Sequence, residues 1–367
     1  MTWYVSDLSR KDQLFVDGLG FSRATSPTPF QSDEGEQQVV YELGSSRFVC
    51  ASARGEHSRA GRYLSNHPEG IGCVTFEVED LAYAESELAR RGGTFVSDGR
   101  TAREQNQADW IELATPIDDL TFRFVQRGAP ALEAHGQNSV TPASERGPGK
   151  RSRFDHVTIN TATILPLSLW LRHLLGLEPC WEIEFHTSDL LPGAQRGSGL
   201  KSVALWDPVS QIRFALNEPR RPNFFASQIE LFRRDHRGSG IQHVAIHVSN
   251  ITEVVAALRS RGVKFASAPA RYYQQLPARL AHLGIDSIDE RLENLRELGI
   301  LVDGSGSGRY LLQIFMEDDA SFLGGANRSP FFLEFIERKG CSEFGAGNFR
   351  ALFESIESAQ APRALGP

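Results

Sequence analysis

Residues 71–98, IGCVTFEVEDLAYAESELARRGGTFVSD, and residues 241–268, IQHVAIHVSNITEVVAALRSRGVKFASA, lie in register at a constant offset of 170. Ile71, Val74, Val78, Leu88, Arg91, Gly92, Phe95 and Ser97 recur as Ile241, Val244, Val248, Leu258, Arg261, Gly262, Phe265 and Ser267. Each copy reads as a strand, an amphipathic helix, a glycine turn and a second strand. One such unit cannot bury its own apolar face, so copies must pack against one another. Shorter matches extend the pattern: DGLGFSR (17–23) resembles HLLGLEP (173–179), and LTFRFVQR (120–127) lies under FFLEFIER (331–338). The expected fold is α+β, with two homologous halves of paired β-α-β units. The first half is placed at 1–130 and the second at 151–357, the latter an open barrel. Residues 131–150 lack periodicity and are rich in Gly, Pro, Ser and Ala, as a linker is, and 358–367 form a tail.

The 367 residues are enough for two real cores, and 40% hydrophobic with 23% charged residues suits a soluble globular chain. A net charge of −7 and a pI near 5.9 argue against nucleic acid or an anionic membrane as the main partner. No run of about 18 apolar residues suggests a membrane span. The start, MTWYVSDLSRKDQ, lacks the apolar core of a signal peptide. Cys50, Cys73, Cys180 and Cys341 form no Cys-x-x-Cys pair, and free thiols in a reducing cytoplasm are expected. The 23 Phe against 7 Tyr suit a dense core or an aromatic-lined cavity.

Within the repeat, three positions break the match. Cys73 stands where the second half has His243, and Arg123 where it has Glu334. The 17–23 match, at an offset of 156, puts the counterpart of His156 at position zero, so the first strand of the N-terminal half is expected to be missing or clipped. His156 lies in RFDHVTIN, His243 in GSGIQHVAIH and Glu334 in PFFLEFIERKG, all strand-like. A carboxylate amid Phe331, Phe332, Leu333, Phe335 and Ile336 is costly unless a cation or metal meets it. Two imidazoles and one carboxylate make a facial triad, the set that holds Fe(II) with three positions open. Their separations, 87 (156 to 243) and 91 (243 to 334), suit one ligand per strand of successive units. An Arg in the carboxylate's place makes the N-terminal half metal-free. The plainer alternatives are hydrogen-bonded core histidines and an ion pair of Glu334 with Arg338. His247 lies about 13 Å along the strand from His243 and reads as surface. His57, His67, His135, His173, His186, His236 and His282 read as loop-like or helical polar positions.

The second half resembles the 4-hydroxyphenylpyruvate dioxygenases of the vicinal oxygen chelate superfamily. The resemblance rests on FDHV, LNEP (216–219), SQI (227–229), GIQHVA, YYQQL (272–276), LGILVD (298–303), LLQIF (311–315), FFLEFIERKG and FGAGNFRALFESIE (344–357) in this order. YYQQL and NFRALFESIE are closest to the cyanobacterial branch. The resemblance implies His156, His243 and Glu334 as iron ligands. It also implies Ser202, Asn217, Gln228, Gln242 and Gln313 as catalytic polar residues around the phenol and keto-acid ends of the substrate. Phe315, Phe332, Phe344 and Phe349 would be substrate-binding walls, with Asn348 beside a closing helix. Strict alternation puts Gln242 on the opposite face from His243, so it needs a bulge or an indirect role. Phe349, Leu352, Phe353 and Ile356 give that last helix an apolar stripe after a Gly345–Gly347 hinge. It would dock on the core and exclude water as a lid. Ala215 replaces a proline common in the family, and Ala346 a basic residue.

The implied reaction converts 4-hydroxyphenylpyruvate and O₂ to homogentisate and CO₂, by oxidative decarboxylation, ring hydroxylation and side-chain migration. The substrate supplies its own keto acid, so no 2-oxoglutarate is needed. The implied assembly is a homo-oligomer, dimer or tetramer. The runner-up is 4-hydroxymandelate synthase, which oxidises the benzylic carbon of the same substrate; Asn217 and Phe349 favour the dioxygenase. A ring-cleaving dioxygenase would want a further acid–base histidine near the metal, and a non-catalytic binding protein of this fold would not need a complete triad.

Overall fold

The computed structural model describes residues 1–24, 35–55, 57–96, 110–127, 152–186, 198–268, 270–324, 329–345 and 348. The expected linker, Ser97, Phe349 with the last helix, His135, Ala346 and the tail lie outside the described residues.

The first sheet uses β1 (Thr2–Tyr4), β2 (Ser22–Arg23), β3 (Glu36–Leu43), β4 (Ser46–Ala53), β5 (Gly70–Val78), β6 (Trp110–Ala114) and β7 (Thr121–Gln126). Its helices are α1 (Leu8–Asp12), which runs into a π-helical turn at Gln13–Gly18, then α2 (Arg59–Asn66) and α3 (Leu81–Arg90). The second sheet uses β8 (Arg153–Asn160), β9 (Glu178–His186), β10 (Gly199–Trp206), β11 (Arg213–Pro219), β12 (Gly240–His247), β13 (Leu301–Gly304), β14 (Tyr310–Phe315) and β15 (Phe332–Lys339). Its helices are α4 (Leu165–Leu175), α5 (Gln228–His236), α6 (Ile251–Ser260), α7 (Ala270–His282), α8 (Leu292–Leu298) and α9 (Asp319–Leu323).

The strand orders are β2-β3-β4-β1-β5-β7-β6 and, read from the matching edge, β9-β10-β11-β8-β12-β15-β14-β13. The senses agree pair by pair: β1 is parallel to β4 and antiparallel to β5, as β8 is to β11 and β12. Register agrees too. Cys73 faces Thr121 as His243 faces Phe332, so Arg123 holds the place of Glu334 across from Thr75 and Ala245 respectively. The second sheet adds β13 and stays open, with β13 and β9 as its edges.

One expectation is settled and another corrected. The first strand of the N-terminal half is present, as the three-residue β1. Trp3 pairs with Ile71 as Ile159 pairs with Ile241, so β1 matches only the end of the eight-residue β8: the strand is clipped rather than missing, and the counterpart of His156 falls at position zero. Among the described residues, the second strand of each repeat unit is a single bridge, Phe95 to Leu113 and Phe265 to Met316.

The halves share one apolar core. Phe122 stacks on Phe214 at 5.5 Å, Trp3 meets Phe331 at 4.7 Å and Phe48 meets Phe154 at 5.1 Å, so much of the Phe excess is interface packing. Lys11 is buried across the same seam, paired with Glu69 and Asp319 and lying 4.2 Å from the Trp3 ring. Two histidines expected in polar settings are buried here. His67 and His236 stack at 4.6 Å, because α2 and α5 point their last turns at each other. Gly238 O accepts from His236 Nδ1, so Nε2 is left to accept from the Tyr63 hydroxyl at 3.2 Å.

Burial, with the His67 ring beside it, lowers the His236 pKa to about 4. A histidine depressed in the fold stabilises it fully above about 6.5 and loses that contribution as pH falls toward 4. Stability should therefore drop across this window by up to about 3 kcal/mol more in the parent than in His236→Gln, measured by urea unfolding. Parallel pH profiles for the two proteins would contradict the assignment.

Candidate metal centre

Ala245 in the middle of β12 is level with His156 on β8 and with Glu334 on β15, and His243 precedes it by two residues on the same face. Three neighbouring strands thus aim one side chain each at a common point, with only a methyl between them. His156, His243 and Glu334 are buried, and their ligand atoms all lie within 4.8 Å of one another. Glu334 Oε2 is 3.4 Å from His156 Nε2 and 3.2 Å from His243 Nε2. The imidazoles meet edge-on at 79°. Among the described residues this is the only such group of three metal-ligating side chains.

The antiparallel ladder between β8 and β12 slips twice, and each slip skips one residue. From Ile241–Ile159 it passes to His243–Thr158, skipping Gln242; from Ala245–His156 it passes to Ile246–Phe154, skipping Asp155. Those bulged residues face the histidines beside them. Gln242 Oε1 accepts from His243 Nδ1 at 3.1 Å, and Asp155 Oδ1 accepts from His156 Nδ1 at 2.9 Å. With both Nδ1 atoms donating, both Nε2 atoms are left for a cation. Gln242 therefore acts on the ligand, through a bulge.

Arg338 grips Asp155 with two bonds, 2.8 and 2.7 Å, and donates to the carbonyls of Cys341 and Glu343. It does not pair with Glu334, since four residues along a strand set the two side chains too far apart. Glu334 Oε1 accepts from Gln313 Nε2 at 2.8 Å. Only Oε2 is left to face the imidazoles.

Burial alone would raise the Glu334 pKa, but the two imidazoles lower it; burial would lower that of His156, but the Glu334 and Asp155 carboxylates raise it. His243 goes down through burial and is neutral. His243 Nε2 is a buried nitrogen with no hydrogen-bond partner. A buried carboxylate, two oriented imidazoles and an orphaned ring nitrogen fit a divalent metal.

The space above the triad is lined by His156, Thr158, Trp181, Ser202, Ala215, His243, Gln313, Phe315, Glu334 and Phe344 and amounts to about 20 Å³. That holds a single water-sized body. Phe344 forms one wall of it, edge-on to His156 at 5.3 Å and stacked on Trp181 at 6.1 Å. Phe332 stacks on His243 at 5.0 Å, and Phe315 meets the same ring at 6.1 Å. Ser202 lies across the β10–β11 ladder from Asn217, whose Nδ2 donates to Asn160 Oδ1. Ser202 Oγ and Asn217 Oδ1 are buried without partners. Asn348 Nδ2 donates to Gln313 Oε1 at 2.9 Å. Gln228 opens α5, its backbone N–H bonded to Ser198, and is absent from the lining. Gly345 has φ +71°, and a Cβ there would sit 2.8 Å from Gln313 Oε1. Only glycine lets the chain turn so close to that amide.

Sequence reasoning missed Asp155, Trp181 and Thr158, and it named Arg338 as a partner for Glu334 rather than for Asp155. Asp155 directly precedes His156, and the bulge that turns it inward has no mark in the sequence. Asp155→Asn, which keeps the shape but weakens the grip on His156 Nδ1 and Arg338, should cost ten- to a hundredfold in divalent-metal affinity, read by titration of the metal-free chain. Unchanged affinity would exclude this role.

Residues 153–276 match the model of the glyoxalase/bleomycin resistance protein/dioxygenase superfamily. The 4-hydroxyphenylpyruvate dioxygenase of Dictyostelium discoideum is 30% identical, over 99% of this chain and 98% of its own. That of Danio rerio is 31% identical over 98% and 90%, and that of Coccidioides posadasii 28% over 98% and 92%. In fold the chain is like a 4-hydroxymandelate synthase variant from Streptomyces coelicolor, at a TM-score of 0.75 and 23% identity over 98% and 97% of the two chains. The chain belongs to the 4-hydroxyphenylpyruvate dioxygenase family.

Proposed function

We propose that this chain is an Fe(II)-dependent 4-hydroxyphenylpyruvate dioxygenase, converting 4-hydroxyphenylpyruvate and O₂ to homogentisate and CO₂. The observation that carries the proposal is the convergence of two Nδ1-tethered imidazoles and one half-occupied carboxylate on a small, aromatic-walled space. Family membership supplies the substrate, and the residues supply reasons it suits the site.

His156 Nε2, His243 Nε2 and Glu334 Oε2 would hold the ion. When bound, Fe(II) supplies a chelating centre for an α-keto acid and activation of O₂. Because Gln313 occupies Glu334 Oε1, the carboxylate would offer a bound ion one oxygen. Phe315 and Phe332 would flank the substrate's ring. The orphaned Ser202 Oγ and Asn217 Oδ1 match a phenol: the amide oxygen accepts the phenolic O–H, and the serine donates to the phenolic oxygen. Gln228 and Phe349 stay candidates for substrate contact. Phe344, as one wall of the space, would help keep water out.

In the N-terminal half, Arg123 in the place of Glu334 pairs with Glu112 at 2.8 Å, and Glu112 is paired again with Arg59. We read residues 1–130 as a metal-free half whose cation is built in.

Anaerobic Fe(II) loading followed by 4-hydroxyphenylpyruvate and O₂ should yield homogentisate with one O₂ consumed per product. Finding 4-hydroxymandelate by mass spectrometry would instead assign benzylic oxidation. His243→Ala should abolish Fe(II) uptake while Cys73→Ala leaves it intact; equal loss from both would refute the one-site account.

A further inference from the structure

We propose that Tyr272 and Arg279, both on α7, are positioning residues that hold Glu334 in its metal-binding pose through a one-way chain of hydrogen bonds. The proposal rests on Glu334 being a metal ligand. The carboxylate sets the direction. Its Oε1 can only accept, so Gln313 must present Nε2 to it, at 2.8 Å. That turns Gln313 Oε1 outward, where Asn348 Nδ2 donates to it at 2.9 Å. Asn348 must then offer Oδ1 to whatever lies beyond, and Tyr272 Oη is there at 2.9 Å.

A tyrosine has one proton to give, and Tyr272 has a second acceptor in reach, Val302 O, also at 2.9 Å. Arg279 Nη2 decides between them. It donates to Val302 O, satisfying that carbonyl, to Tyr272 Oη at 3.0 Å and, at the longer 3.3 Å, directly to Asn348 Oδ1. The Val302 N–H also donates to Tyr272 Oη, at 2.8 Å. With the carbonyl met and its oxygen lone pairs filled, the phenol's proton goes to Asn348. Every donor therefore points the same way: Arg279 to Tyr272 to Asn348 to Gln313 to Glu334. Tyr272, Asn348, Gln313 and Glu334 are all buried, so water cannot replace a missing link, and aligned bonds in such surroundings strengthen one another.

The outcome at the metal is specific. A Glu334 whose Oε1 is held offers Oε2 alone; one released can turn and chelate with both oxygens, or swing away. Asn348 also lies three residues past Gly345, and its backbone N–H is tied to Asp303 at 3.3 Å. The chain thus ties Asn348, held at Asp303, to the ligand.

The test uses the full chain stripped of metal and titrated anaerobically with Fe(II) against a competing chelator, with thermal unfolding as the check on folding. Tyr272→Phe should weaken Fe(II) binding about tenfold, the lower end for a residue acting behind a ligand. In the loaded enzyme it should lower kcat while leaving KM near the parent's. Arg279→Met should do the same, and Arg279→Lys, which keeps a donor, should recover most of the loss. Tyr273→Phe, which removes only a bond to Ile300 O, should match the parent. Parent-like Fe(II) affinity in Tyr272→Phe would overturn the proposal. If that variant does not fold, Arg279→Met, at the more exposed end, decides on the same criterion. A parent that binds no Fe(II) would bring down the metal assignment itself, a result distinct from failure of the chain.

Discussion

A fully buried carboxylate between two imidazoles is the constraint around which the second half is arranged. Glu334 sits among the apolar side chains of Phe332, Leu333, Phe335 and Ile336, and its ionised form survives there only because opposite charge and donors close on both oxygens. His156 and His243 face Oε2, and Gln313 donates to Oε1. A metal ion satisfies the same demand more completely, and the orphaned nitrogen of His243 gives it a second reason to bind.

The repeated half solves the same problem differently. At the equivalent register position Arg123 replaces the carboxylate, and the counter-charge, Glu112, comes from the neighbouring strand at the position of Phe315. One architecture therefore carries either a place for an exchangeable cation or a permanent guanidinium–carboxylate pair. The second ties β6 to β7, and the N-terminal half packs Phe48 and Phe122 against Phe154 and Phe214 of the second half.

Much of this was legible in the sequence, for definite reasons. The repeat was readable because the same strand–helix–turn punctuation recurs at a fixed offset. The triad was readable because a carboxylate in FFLEFIERKG and an imidazole in GIQHVAIH are both costly to bury. The partners of those ligands were not legible. Strand alternation puts Asp155 and Gln242 on the wrong face, and it takes two ladder slips to bring them round. Burial of His67 and His236 was likewise hidden, since each is an ordinary helix-end residue until the other half arrives. The Tyr272–Asn348 link joins residues 76 apart and depends on how α7 lies over β13.

The central claim is that one divalent ion binds the second half, at the triad and nowhere else. Crystals grown anaerobically with Fe(II) and measured at the iron absorption edge would test it most directly. A single anomalous peak about 2 Å from His156 Nε2, His243 Nε2 and Glu334 Oε2, with Asp155 and Gln242 still bonded to the rings, is the predicted result. A peak at Cys73 or Arg123, or a triad splayed apart with no peak between its members, would contradict it.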